Sequence, residues 1–204
     1  MVTLNNQYLQ TSFDSDGYIS INPLFSIEKI EEIKIELTRY IKEVAPNVPD
    51  HHIFYENKDD KTSIKQLQQM FTYDDYFKEL IENSPIREVA EIVLREKAEP
   101  KNLQFFNKPP GIGKPTPPHQ DGYYFMLKKH NAVTCWLALE KVDEENGCIH
   151  YVRGSHKSEY RPHGRSNVLG FSQGITDFGN EEDKKNTVSF PGEPGTFLIH
   201  NAKT

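Results

Sequence analysis

The sequence predicts an α+β fold in which a helical first part, residues 1–100, packs on a β core, residues 101–204. Three observations carry this. Before Pro100, apolar residues recur at three- and four-residue spacing, the period of helices that bury one face. After Pro100 the pattern changes to short apolar runs bounded by Pro, Gly and Asn-Gly, the grammar of strands and turns. No helical period separates those runs, so the strands are expected to be antiparallel, in a sandwich or barrel rather than a parallel sheet. The chain has 204 residues and no internal repeat or low-complexity linker, so residues 1–204 are expected to share one core as one domain.

In chain order, Asp14-Ser15-Asp16-Gly17 reads as a turn feeding a short strand, Tyr18-Ile19-Ser20-Ile21. Ser26 then caps a helix whose Ile27, Ile30, Ile33, Leu37, Tyr40, Ile41 and Val44 recur on one face until Pro46 stops it. Residues 48–61 are polar and predict a surface excursion with solvated His51 and His52. From 63 to 96 the pattern predicts three further helices. Leu67 and Met70 mark the first, and Tyr76, Phe77, Leu80 and Ile81 the second. The third opens on Ser84-Pro85, a cap with proline at the first helical position, and carries Ile86, Val89, Ile92 and Val93. Strands are then expected at 103–106, 123–127, 132–139, 148–152, 188–190 and 196–200. Asn146-Gly147 is the strongest hairpin signal and predicts a type I′ turn.

Composition narrows the class. A net charge of −6 and a pI near 5.8, with basic residues scattered, argue against a nucleic-acid partner. No run approaches the ~18 apolar residues of a membrane span, and residues 1–6 lack the basic and apolar regions of a secretory leader. The expectation is a cytoplasmic protein with no membrane partner. Cys135 and Cys148 each lie in an apolar run and read as buried free thiols, which suits a reducing compartment.

The chemistry concentrates at His119-Gln120-Asp121, which follows the rigid loop 109–118 and precedes the expected strand 123–127. Residues two apart on extended chain project to the same side, so an imidazole and a carboxylate face one point. That is two thirds of the two-His, one-carboxylate set that leaves one side of an iron open to substrates. In order there follow the run 132–139, the acidic turn Asp143-Glu144-Glu145-Asn146-Gly147, and Cys148-Ile149-His150-Tyr151-Val152-Arg153-Gly154-Ser155-His156-Lys157.

Together these motifs resemble the phytanoyl-CoA dioxygenase family of Fe(II)/2-oxoglutarate oxygenases, from Asp16-Gly17-Tyr18 onward and most strongly over 104–156. The resemblance implies a double-stranded β-helix (a jelly roll, cupin-like) with packed N-terminal helices. It implies hydroxylation of a small organic substrate, acyl or carboxylate compounds included, with O2 and 2-oxoglutarate converted to succinate and CO2. Carried over, His119 and Asp121 are the catalytic iron ligands, and Lys65 on a helix, Gln104 and Trp136 are contacts of the 2-oxoglutarate cosubstrate. A carboxylate at Asp121 leaves no vacancy for chloride, so hydroxylation is expected over halogenation. His200 is the candidate third ligand on this chain. The family pattern instead places that His five or six residues further on and follows it with an Arg for the distal carboxylate of 2-oxoglutarate. On that pattern the chain stops before both, its terminal strands are missing, and turnover is poor; no Arg follows Arg165. Residues 157–174, with Arg161, His163, Arg165, Ser172 and Gln173, are expected to cross the barrel mouth as a loop and set selectivity, while His130, His150, His156 and His163 read as structural or solvated. Two rival functions stay open: a non-catalytic or incomplete β-barrel binding protein, and a metal-dependent cupin-like enzyme that does not use 2-oxoglutarate. The sequence leaves the oligomeric state open.

Overall fold

The computed structural model describes residues 5–125, 127 and 131–204. Met126, His130 and residues 1–4 lie outside the described residues. Helix α1 (Asn6–Asp16) occupies the segment before the expected turn and also takes up residues 14–16, so that of the expected turn only Gly17 lies outside the helix. The Asn5 side chain caps its start, and Gly17, at φ 87°, closes its end by donating to the Phe13 carbonyl. Only Leu9 and Phe13 are buried on it, too sparse a stripe to read as a helix from spacing. Strand β1 (Tyr18–Ile21) follows as expected. Helix α2 (Ile27–Arg39) is capped by Ser26 and buries Ile30, Ile33 and Leu37. A π turn over Tyr40–Val44 and a 3-10 turn over Ala45–Asn47, which contains Pro46, end it.

Strands β2 (Ile53–Tyr55) and β3 (Ile64–Leu67) pair antiparallel. They replace part of the expected surface excursion and the first of the three expected helices. All four residues of β3 are buried; a strand buried on both faces shows no alternation, and its Leu67-to-Met70 step mimics a helical one. Helices α3 (Met70–Tyr73), α4 (Asp75–Glu82) and α5 (Pro85–Leu94) follow. Asp74 caps α4 and Ser84 caps α5 ahead of its N1 proline. Strand β4 (Phe105–Phe106) adds to β3. Where a strand was expected from 123, the chain forms a single helical turn, α6 (Gly122–Phe125), because the Tyr124 and Phe125 amides both return to the Asp121 carbonyl.

The rest is β5 (Val133–Leu137), β6 (Ile149–Val152), β7 (His163–Val168), β8 (Phe171–Ile175), α7 (Glu181–Asn186), β9 (Thr187–Phe190) and β10 (Phe197–Asn201). Two of these correct the sequence reading. Residues 163–175 are a β7–β8 hairpin closed by Leu169-Gly170, with Gly170 at φ 82°; their polar composition hid the strands. Helix α7 has no apolar stripe and is held by an Asn180–Asp183 capping box.

The sheets run β1-β10-β5, β2-β3-β4, β6-β9 and β7-β8. On the first sheet alternation sorts side chains between two cores. Ile19, Ile21, Cys135, Leu137, Phe197 and Ile199 pack with the helices, against Leu9, Ile30 and Val89 among others. Tyr18, Trp136 and Leu198 turn the other way and pack with Ile149, Tyr151 and Phe190 of the facing β6-β9 layer. These are the two facing layers of a jelly roll with helices on the outside of one. The Asn146-Gly147 turn does not join paired strands: β5 pairs with β10 and β6 with β9, so the chain crosses between layers there.

Candidate active site

His119 lies on irregular chain and Asp121 in the turn leading into α6. Two backbone bonds pin this segment: the Ile175 amide donates to the Pro118 carbonyl (2.8 Å) and the Gly122 amide to the Ala202 carbonyl (2.7 Å). The intervening Gln120 is buried on the opposite side. Its amide side chain donates to the Lys203 carbonyl and accepts from the Arg161 amide. Its own backbone N–H donates to His163 Nε2. Fixing Gln120 in this way turns His119 and Asp121 toward the same point.

The His119 Nδ1 hydrogen goes to the Pro117 carbonyl (2.8 Å), because a carbonyl can only accept. His119 Nε2 then faces Asp121 Oδ1 at 3.1 Å. Two lone-pair atoms face each other at that distance only with a cation between them, a proton or a metal ion. On the other side His200 Nε2 lies 2.9 Å from Asp121 Oδ2, an oxygen that also accepts from the Thr134 hydroxyl. The Tyr151 hydroxyl holds His200 Nδ1 at 2.7 Å. β10 brings His200 here through its register with Thr134 on β5 and Tyr18 on β1. The Phe171 ring packs 4.9 Å from that of His119.

Burial would push the Asp121 carboxyl up, but the His119 and His200 contacts outweigh it and hold Asp121 well below the usual carboxylate range. Burial likewise opposes a charge on His119, yet its bond to Asp121 leaves it raised. Burial pushes the Tyr151 phenol well above its ordinary value, so it stays a neutral hydroxyl. The arrangement presents an ionised carboxylate and a correctly oriented imidazole to one point, a donor set that fits a divalent iron.

The remaining sequence candidates scatter. Trp136 shares the inner face of β5 with Thr134 and packs in the core between the two layers. Lys65 lies on β3, not on a helix; its side chain is 1% exposed and its ammonium pairs with Glu56 at 2.6 Å. It reaches toward the site through rings: Lys65 stands 5.9 Å from the Phe106 centroid, Phe106 5.7 Å from Phe171, and Phe171 meets His119. A cleft of about 370 Å³ opens beside Glu56, with Tyr55, Ile112, Lys114 and Leu169 among its walls. Gln104 is exposed just before β4. Arg161 is engaged by Asp177 and Asp183 (3.0 and 2.7 Å), so it is no free cation for an acidic substrate. His163 is structural, stacked on Tyr123 at 4.0 Å. Thr134 and Tyr151 escaped the sequence reading. Period-two alternation puts Thr134 on the face of Trp136, but nothing local says that face meets Asp121.

The profile of the phytanoyl-CoA dioxygenase family matches residues 13–204. The peroxisomal phytanoyl-CoA dioxygenase of Mus musculus is 27% identical over 223 residues, which cover 98% of this chain and 65% of the mouse protein. The chain thus spans just under two thirds of that relative's length. A probable alpha-ketoglutarate-dependent hypophosphite dioxygenase of Stutzerimonas stutzeri is 25% identical over 96% of this chain and 70% of its own. The crystal structure of EctD from S. alaskensis with bound Fe superposes with a TM-score of 0.78 at 16% identity, covering 98% of this chain and 69% of EctD, a likeness of fold. With its match over residues 13–204, the chain belongs to the phytanoyl-CoA dioxygenase family.

Proposed function

We propose that this chain is an Fe(II)- and 2-oxoglutarate-dependent dioxygenase that hydroxylates a small organic substrate. The observation that carries the reading is the His119–Asp121 pair, in which an imidazole with its Nδ1 hydrogen already committed turns Nε2 onto a carboxylate oxygen. The family membership and the relatives named for 2-oxoglutarate and iron support it. His119 Nε2 and Asp121 Oδ1 are the assigned metal ligands. His200 and Thr134 grip the second oxygen, so their role is to orient the carboxylate. When bound, iron with 2-oxoglutarate would supply the electrons that activate O2 for attack on a C–H bond, the 2-oxoglutarate being oxidised to succinate and CO2. The protein's part is to hold the two donors, to line the interior with Trp136, Tyr18 and Leu198, and to exclude water. Lys65, buried and balanced by Glu56, is the assigned cation for a cosubstrate carboxylate, with Gln104 and Trp136 as the remaining contacts. Cys135 and Cys148 are both free thiols, and among the described residues no helix is long and apolar enough to cross a membrane; we assign the protein to the cytoplasm.

The test is an anaerobic titration with Fe(II) and 2-oxoglutarate, followed by the visible charge-transfer band of the chelated cosubstrate. The wild-type chain should develop the band, His119→Ala should lose it, and His200→Ala should keep it with affinity weakened roughly 10–100-fold, as outer-shell changes do. Loss of the band in His200→Ala would make His200 a ligand. Absence of the band in the wild-type chain would refute the reading.

A further inference from the structure

The turn at 143–148, within the connection between β5 and β6, builds a second donor cluster on the outer surface with the start of β6. Donor atoms of Glu144, Cys148 and His150 all lie within 4.8 Å of one another, the one such trio among the described residues. Glu144 Oε2 and His150 Nε2 are 3.0 Å apart, with side chains 61% and 45% exposed, and the buried Cys148 lies beneath them. Alternation along β6 explains the placement: Ile149 and Tyr151 point into the interior, leaving His150 on the outside.

The turn that carries Glu144 is tightly braced. The Asp143 carbonyl accepts from the Gly147 and Cys148 amides (2.9 and 2.8 Å), and its carboxylate from those of Glu145 and Asn146 (3.0 and 3.1 Å). The Asn146 side chain accepts from the Asp143 amide and donates to the Lys141 carbonyl, both at 2.8 Å. Gly147 takes the left-handed conformation at φ 93°, and Lys108 Nζ donates to its carbonyl at 3.1 Å. The backbone that carries Glu144 and Cys148 is therefore already in place, and only the two exposed side chains lose freedom on binding a ligand. An exposed Glu–His pair needs no sulfur, and by itself it adds little to stability. Sulfur, nitrogen and oxygen together suit a borderline-soft divalent ion, with an outward fourth position for water.

We propose that Glu144, Cys148 and His150 form a second metal site, for a zinc-class divalent ion, on the outer face of the β6-β9 layer. It is separate from the His119–Asp121 pair, which contains no sulfur. Cobalt(II) titrated into the metal-free, reduced protein distinguishes the two, because only thiolate coordination gives an intense near-ultraviolet charge-transfer band. The expected result is a saturable band that survives His119→Ala and Cys135→Ser and disappears in Cys148→Ser. Glu144→Gln and His150→Ala alter exposed side chains and should leave the fold intact. Each should weaken the binding at least roughly 10–100-fold, the range outer-shell changes already reach. Zinc should also slow alkylation of Cys148 in the wild type and not in His150→Ala. The proposal is overturned if cobalt gives no sulfur band, or if the band is indifferent to both Glu144→Gln and His150→Ala.

Discussion

Replacing Glu56 by Gln removes the counter-charge of an ammonium that has nowhere else to go. The Lys65 side chain is 1% exposed and that of Glu56 8%, and they meet at 2.6 Å. Leaving a buried charge uncompensated costs about 3–5 kcal/mol. Gln keeps the volume and one acceptor oxygen, so the low end, about 3 kcal/mol, applies. At roughly 2–4 °C per kcal/mol for a chain of this size, the melting temperature should fall by about 6–12 °C, read by circular dichroism. The double replacement Glu56→Met with Lys65→Met should recover most of that loss, because exchanging a whole buried pair for apolar groups is often near neutral. Added 2-oxoglutarate should raise the melting point of Glu56→Gln more than that of the wild type, since a cosubstrate carboxylate would supply the missing charge. A Glu56→Gln protein that melts within about 2 °C of wild type would refute the reasoning about the pair. An equal response of both proteins to 2-oxoglutarate would sink the cosubstrate role of Lys65.

Three further outcomes follow from the same structure. Burial alone would raise the Asp183 carboxyl, but Arg161 and the Gly179 and Asn180 amides outweigh it and lower its pKa below 3.8. Its contribution is therefore full above about pH 3.8 and lost as pH falls through the lower folded value. Asp183→Asn should cost roughly 1.5–3 kcal/mol at neutral pH, and urea midpoints should show the gap closing in acid rather than in base. Asp74 caps α4 and also binds Arg39 at 2.7 Å; Asp74→Ala should lose about 0.5–2 kcal/mol for the cap, and Asp74→Asn, which keeps a capping oxygen, should lose less in the same denaturation assay. Tyr151→Phe leaves the ring packed but strips the hydroxyl from His200 Nδ1. It should cost about 1–3 kcal/mol and weaken the iron and 2-oxoglutarate titration, whereas equal affinity would separate Tyr151 from the site.

The local signals in the sequence that proved reliable were those whose physics is itself local. Ser26 and Ser84 cap helices where they stand, Pro46 lies in the turn that ends one, and the strands around 133–137, 149–152, 187–190 and 197–201 follow their apolar runs. The His-x-Asp spacing brings the two side chains together because Gln120 between them is buried and tied to Lys203 and Arg161. Tertiary structure decided what spacing cannot encode. It made a fully buried strand of β3, turned 122–125 into helix rather than strand, and sent β5 and β6 to opposite layers across a strong turn signal. It also delivered His200 and Thr134 to Asp121, and Tyr151 to His200, contacts set by strand register across 79 residues for His200. Register and layer pairing are won by burial of whole faces, and no window of sequence contains both partners of such a contact.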